Sequence, residues 1–126
     1  MTAKQKLKDA IALIQEKQGE EIKVFNVKKA SDLWDYFLLC NGTSNVHIKV
    51  LNDFLESEMK KKGYVLLYKD RGMDSSWIVM DFGEVLIHIF DPELRKFYAL
   101  ERIWGEHEEK LDKILAKGIT KRNLNG

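Results

Sequence analysis

The sequence has one cysteine, one proline, no apolar run long enough to span a bilayer, and almost no net charge. Each shortage removes a class of protein. With Cys40 alone there is no internal disulfide, and neither a CxxC nor an HxxxH pair is present to hold zinc. The apolar stretch Ala10 to Ile14, set behind Lys4, Lys6, Lys8 and Asp9, is shorter than the core of a signal peptide and far short of a membrane span. A cytosolic chain with no membrane partner is therefore expected. The 21 basic and 20 acidic side chains leave a formal charge of +1, too small for a global field that would attract DNA or an acidic membrane. Any rRNA contact is expected to be local.

At 126 residues and 44% hydrophobic, the chain can bury one core but not two. A single domain spanning 1–126 is predicted, with its core over about 4–104 and a polar, helical extension over 105–126.

Leu7, Ala10, Ile11 and Ile14 recur at helical spacing, which predicts a helix from Lys4 to Lys17 closed by a left-handed Gly19. Ile22, Val24 and Val27 suggest a short strand. The apolar run Tyr36 to Cys40 reads as a central strand with Cys40 packed inside it. A second helix is predicted over about Val46 to Lys62, with Lys60-Lys61-Lys62 as cations at its negative end and Gly63 as its stop. Tyr64 to Tyr68 is a third strand candidate and Lys69 to Ser76 a loop. Trp77 to Phe82, a turn at Gly83-Glu84, and Val85 to Phe90 then form a hairpin. Asp91 caps a short helix with Pro92 at its first position, carrying Leu94, Phe97, Tyr98 and Glu101 on one side. A last helical pattern holds Leu111, Ile114 and Leu115, stops near Gly118, and leaves a polar tail from Ile119 to Gly126. The order is α-β-β-α-β-β-β-α plus a C-terminal helix, an α/β (α+β) domain.

Catalysis needs convergent groups. His47, His88 and His107 are scattered through the sequence, and His88 and Asp91, three apart on a strand, point to opposite faces. No metal site and no cofactor is expected. Gly42-Thr43-Ser44 between a strand and a helix has the layout of a phosphate-gripping turn. A nucleotide-binding enzyme is thus the second reading. Metal-assisted phosphoryl transfer would need carboxylates directly after that turn, and the first acid is Asp53, deep in the second helix. From Asp70 to Glu101 seven acids stand against three bases, a net charge of −4. A basic partner would be drawn there. Trp77, Phe82, Phe90, Phe97 and Tyr98 lie in the same stretch, with Trp104 just beyond, and interface anchors favour such rings. Strand alternation puts Trp77, Val79 and Asp81 on one face and Ile78, Met80 and Phe82 on the other.

Four blocks carry a resemblance. They are Asp35-Tyr36-Phe37 running to Asn41-Gly42-Thr43-Ser44 and His47, then Trp77 to Val85, then His88-Ile89-Phe90, then Arg95 to Trp104 with the pattern R-x-x-Y-x-L-E-x-x-W. In this order they resemble the Iojap-like ribosomal silencing factors over roughly Leu7 to Trp104. Ser76 stands where that family usually has glycine. The resemblance implies a mixed five-stranded sheet flanked by helices, related to the nucleotidyltransferase fold without its catalytic acids, and commonly a homodimer. It implies no catalysis. Instead, it implies binding to ribosomal protein fourteen of the large subunit, on the face where the small subunit docks, so that translation is silenced when nutrients are scarce. Carried over by position, the contact surface is Trp77, Asp81, Phe82, Gly83, Glu84, His88 and Phe90, supported or extended by Arg95, Tyr98 and Glu101.

Overall fold

The computed structural model describes residues 2–71 and 76–115, the side chains of Arg71, Phe97, Tyr98 and Leu100 excepted. Gly72, Asp74, Gly118 and the 119–126 tail therefore lie outside the described residues. The elements are α1 (Ala3–Glu16), β1 (Glu20–Asn26), β2 (Tyr36–Asn41), α2 (Asn45–Lys61), β3 (Tyr68–Arg71), β4 (Trp77–Asp81), β5 (Val85–Phe90), α3 (Pro92–Tyr98), α4 (Leu100–Trp104), a 3-10 turn (Gly105–His107) and β6 (Glu108–Glu109). One mixed sheet is formed in the order β3-β4-β5-β2-β1-β6. Its centre is the parallel pair β2 and β5, in register from Tyr36 opposite Val85 to Asn41 opposite Phe90, and every other pairing is antiparallel. All residues of both central strands are buried, which is why their sequences run continuously apolar rather than alternating.

The helix ends follow from local chemistry. Thr2 caps α1 through Gln5 N–H, and Ser44 caps α2 through His47 N–H at 3.1 Å. Gly63, at φ +95°, closes α2: its own N–H reaches Lys60 O and the following Tyr64 N–H reaches Met59 O, the paired bonds of a Schellman stop. At the end of α1 the left-handed residue is Gln18, at φ +61°, and not Gly19 as its glycine suggests. Gly19 is needed for room instead, since a Cβ there would lie 2.3 Å from Ile14 Cγ2. Gly42 is held by the same argument, with a Cβ placed 2.6 Å from Ile48 Cγ1 and 3.0 Å from its backbone nitrogen.

Three further expectations are corrected. The sheet has six strands rather than five, because β6 pairs with the outer edge of β1 through Val24–Glu109 and Phe25–Glu108. A charged two-residue strand carries no periodicity to find. The third strand is Tyr68–Arg71, which shares only Tyr68 with the expected Tyr64–Tyr68 strand and otherwise lies in what reads as loop, while residues 64–67 are outside the ladder. Only the side of the edge strand facing β4 is paired, so polar side chains suit it. The single short helix expected after Asp91 is two, divided at Ala99 in a left-handed conformation at φ +50°. Past Trp104, the 105–126 extension is only partly helical among the described residues, at 111–115.

Two apolar clusters occupy the two faces of the sheet. One lies beneath α1 and α2 and contains Ile11, Leu51, Leu55, Ile78, Met80, Phe82, Ile87 and Cys40, with Ile114 joining it. The other contains Phe25, Val27, Phe37, Leu39, Leu86 and Phe90, with Trp34, Trp77, Val79 and Trp104 packed partly buried against it. Among the described side chains, Trp104 is the only helical one in this second cluster.

Candidate functional site

Alternation along β4 delivers the expected division: Ile78 and Met80 are buried under the helices, and Trp77, Val79 and Asp81 are half-buried on the opposite face. Trp77 is opposite Phe90 in register, and their rings stack with centroids 4.9 Å apart. His88, two residues before Phe90, stacks on the Phe90 ring at 5.8 Å and meets the edge of Phe37 at 5.7 Å. Phe37 in turn packs edge-on with Trp34 at 5.8 Å and with Trp104 at 5.0 Å. Such offset and edge contacts are the favoured aromatic geometries. The result is a continuous aromatic layer on the sheet face that α1 and α2 do not touch.

His88 is its only imidazole within the sheet, 7% exposed. Burial holds its pKa down to about 4, so the ring is neutral at physiological pH. Trp77 Nε1 donates to His88 Nδ1 at 3.3 Å. An indole nitrogen can only donate, so the neutral imidazole carries its hydrogen on Nε2. That Nε2 is buried and finds no hydrogen-bond partner among the described residues.

The hairpin tip is held from α1. Lys6 Nζ donates to Phe82 O at 2.6 Å and to Glu84 Oε1 at 2.5 Å. The Lys6 bond keeps the Glu84 carboxyl below the usual carboxylate range. Asp81 Oδ1 accepts Gly83 N–H at 2.8 Å, and Gly83 sits at φ +96°, a conformation that glycine adopts without strain. Asp81 and Glu84 thus shape the tip while remaining partly exposed, and Phe82 is sealed in the core beneath it.

Arg95 is 5% exposed and ties three elements together. Its Nε donates to Glu101 at 2.7 Å, and Nη1 donates to Asn41 Oδ1 at 2.8 Å and Glu21 O at 2.6 Å. Lys23 adds a 3.1 Å ion pair to Glu101. Burial pushes the Glu101 carboxyl up, but its bonds from Arg95 and Lys23 outweigh this and hold it below the usual range. The cluster anchors α4, and with it Trp104, to the sheet.

Of the ten carried-over residues, Trp77, Asp81, Gly83, Glu84 and Glu101 keep exposed surface. His88, Phe90, Phe82 and Arg95 are buried, and the Tyr98 side chain lies outside the description. Sequence reasoning did not pick out Trp34, Phe37 or Lys6. Trp34 precedes the central strand by two positions, and a tryptophan outside the core run was the one signal available for it.

Two N–H donors of the Gly42–Ser44 turn are occupied, Gly42 N–H by Phe90 O at 2.9 Å. Thr43 N–H donates to His47 Nδ1 at 2.8 Å, and His47 Nε2 lies 2.8 Å from Lys17 O. Among the described residues, no group of three or more His, Cys, Asp or Glu is placed to hold a metal, and no helix is long and apolar enough to cross a membrane. Burial drives the Cys40 thiol up to about 12, partly opposed by Arg95, so it is inert packing.

A family model described as ribosomal silencing factor during starvation matches residues 1–124. The ribosomal silencing factor of Bacillus subtilis is 31% identical over 84% of this chain and 90% of its own length. A mouse protein named mitochondrial assembly of ribosomal large subunit protein 1 is 31% identical over 86% of this chain and half of its own length. A crystal structure of a Chromobacterium violaceum protein superposes with a TM-score of 0.80 at 25% identity, covering 83% of this chain and 88% of that one. The match over nearly the whole chain, joined to a fold shared with a solved relative, places the chain in the ribosomal silencing factor family.

Proposed function

We propose that this chain binds the large ribosomal subunit through ribosomal protein fourteen, and by standing on the surface where the small subunit docks keeps the two subunits apart. It acts in the cytosol, without catalysis or cofactor, and represses translation when nutrients are scarce. The observation that supports this reading best is the aromatic layer on the sheet face opposite α1 and α2, where Trp34, Trp77 and Trp104 keep exposed surface over the buried Phe37 and Phe90. Large aromatic anchors of this kind typically contribute about 2 kcal/mol or more each at an interface. The acidic segment 70–101, at −4, supplies attraction toward a basic ribosomal protein. Trp77, Asp81, Gly83 and Glu84 form the contact surface, with Tyr98 and Glu101 at its border. Phe82, Phe90, His88 and Arg95 hold it from beneath. When free, the chain pairs as a homodimer, as its family resemblance suggests.

Inhibition by occupancy needs no turnover: each bound factor removes one large subunit from the joining equilibrium. Sucrose-gradient sedimentation with purified subunits tests this. Saturating protein should travel with large subunits and lower the joined fraction; failure on both counts rejects the proposal. Trp77→Ala should weaken binding by roughly tenfold or more while circular dichroism shows the fold intact.

A further inference from the structure

An apolar layer has no use for an imidazole. Position 88 lies among Phe37, Leu39, Phe90 and Trp77, where a phenylalanine would meet the same rings with no polar atom to satisfy. The imidazole makes one long bond, 3.3 Å from Trp77 Nε1, and that bond fixes its hydrogen on the opposite nitrogen. The Nε2–H is therefore left buried and unpaired among the described residues, an arrangement that disfavours the free protein. Of its neighbours Phe37 and Phe90 are buried, whereas Val79, opposite His88 in register, and the Trp77 ring are half-buried, and Trp34 and Trp104 pack on the same layer with part of their surface in solvent.

We propose that His88 Nε2–H is the specificity-determining donor of this face, reserved for a main-chain carbonyl that the docked ribosomal protein brings in as the surrounding rings give way. This rests on the partner reading above. A neutral carbonyl fits better than a carboxylate, because a charged group would lose its hydration on entering an apolar layer. A basic protein, moreover, presents main-chain carbonyls more readily than carboxylates. The aromatic rings provide area, while the donor rejects any surface that offers only apolar groups, since such a surface would bury the N–H for good.

The test uses the full chain and purified large subunits, with His88→Phe and His88→Gln. Phenylalanine keeps the ring and removes the donor. Glutamine places an amide N–H near the Nε2 position and offers nothing equivalent at Nδ1. The expected pattern is that His88→Phe melts at the same or a higher temperature than the parent yet binds large subunits about tenfold or more weakly, the loss of one buried hydrogen bond. His88→Gln should recover most of the lost affinity. Unchanged binding by His88→Phe overturns the proposal, and so does a marked fall in its melting temperature, which would mean that the donor is already satisfied in the free chain. Weak binding by both variants overturns it too, because the loss would then belong to the Trp77 contact. If the parent itself fails to bind large subunits, the partner reading falls first and this inference with it.

Discussion

At residue 88 the cost of a buried imidazole can be read from its acid behaviour. Its pKa of about 4 in the fold lies below the ordinary 6.5. Above pH 6.5 the ring is neutral in both folded and unfolded chains and contributes no pH dependence. As pH falls from 6.5 toward 4 the unfolded chain takes up a proton that the folded chain refuses, so stability is lost through that window and the loss levels off below it. The total approaches on the order of 3 kcal/mol. Denaturant titrations of parent and His88→Phe from pH 7 to 4 should therefore diverge, with the variant flatter. Parallel curves would show that His88 takes up its proton as readily in the fold as in the unfolded chain. Arg95 behaves oppositely: it is a buried charge with its partners in place. Arg95→Ala strands Asn41 Oδ1 and Glu21 O and leaves Glu101 with Lys23 alone, and is expected to destabilise the fold by about 3 kcal/mol, measured by urea unfolding. Neither environment is visible in sequence: Asn41 and Glu21 lie 54 and 74 positions from Arg95, and the rings around His88 come from strands that meet only in the folded sheet.

At the scale of elements, the chain's own pattern located α1, β2, α2 and the β4–β5 hairpin to within a few residues, because each couples a periodic apolar run with a distinct end signal. β4 is the clearest case, where alternation assigned Trp77 and Ile78 to opposite faces as found. Elements without such coupling were displaced or lost: β3 is polar, β6 is two glutamates, and the α3–α4 break falls at an alanine that nothing in composition marks. That break offers a test. Ala99 stands at φ +50°, a region that costs non-glycine residues about 1 kcal/mol. Ala99→Gly should therefore leave stability unchanged or raise it by up to about 1 kcal/mol, relief of strain being set against the greater freedom of glycine in the unfolded chain. A drop of that size instead would mean that the alanine side chain is needed for packing. The converse applies at Gly83→Ala, where φ is +96° and stability should fall by about 1 kcal/mol or more.

For the molecule as a whole, charge is segregated rather than absent. The 70–101 segment holds −4 within a total of +1, which leaves the remainder at +5. Part of that charge is met within the fold, Glu84 by Lys6 and Glu101 by Lys23, and the other acids of the segment would supply the proposed attraction for a basic protein. Binding governed by this field should weaken as salt rises from about 0.05 to 0.5 M, where the screening length shrinks several-fold. The change should appear mainly in the association rate, with dissociation set by the rings. Stopped-flow mixing with large subunits separates the two. An association rate indifferent to salt would remove the electrostatic part of the proposed recognition and leave the aromatic part standing.

The parallel pairing of β2 with β5 has a consequence in time. Tyr36 and Val85 are neighbours in the sheet, yet the whole of α2, β3 and β4 is threaded between them. Contacts so distant along the chain close late and slowly. Phe37 and His88 cannot share a surface until β5 has been made and brought in beside β2, and Trp104 must then swing back over both. If this layer is the docking surface proposed above, a chain still being elongated through these residues has no grip to offer, and it would engage ribosomes only once nearly all of its fold has been delivered.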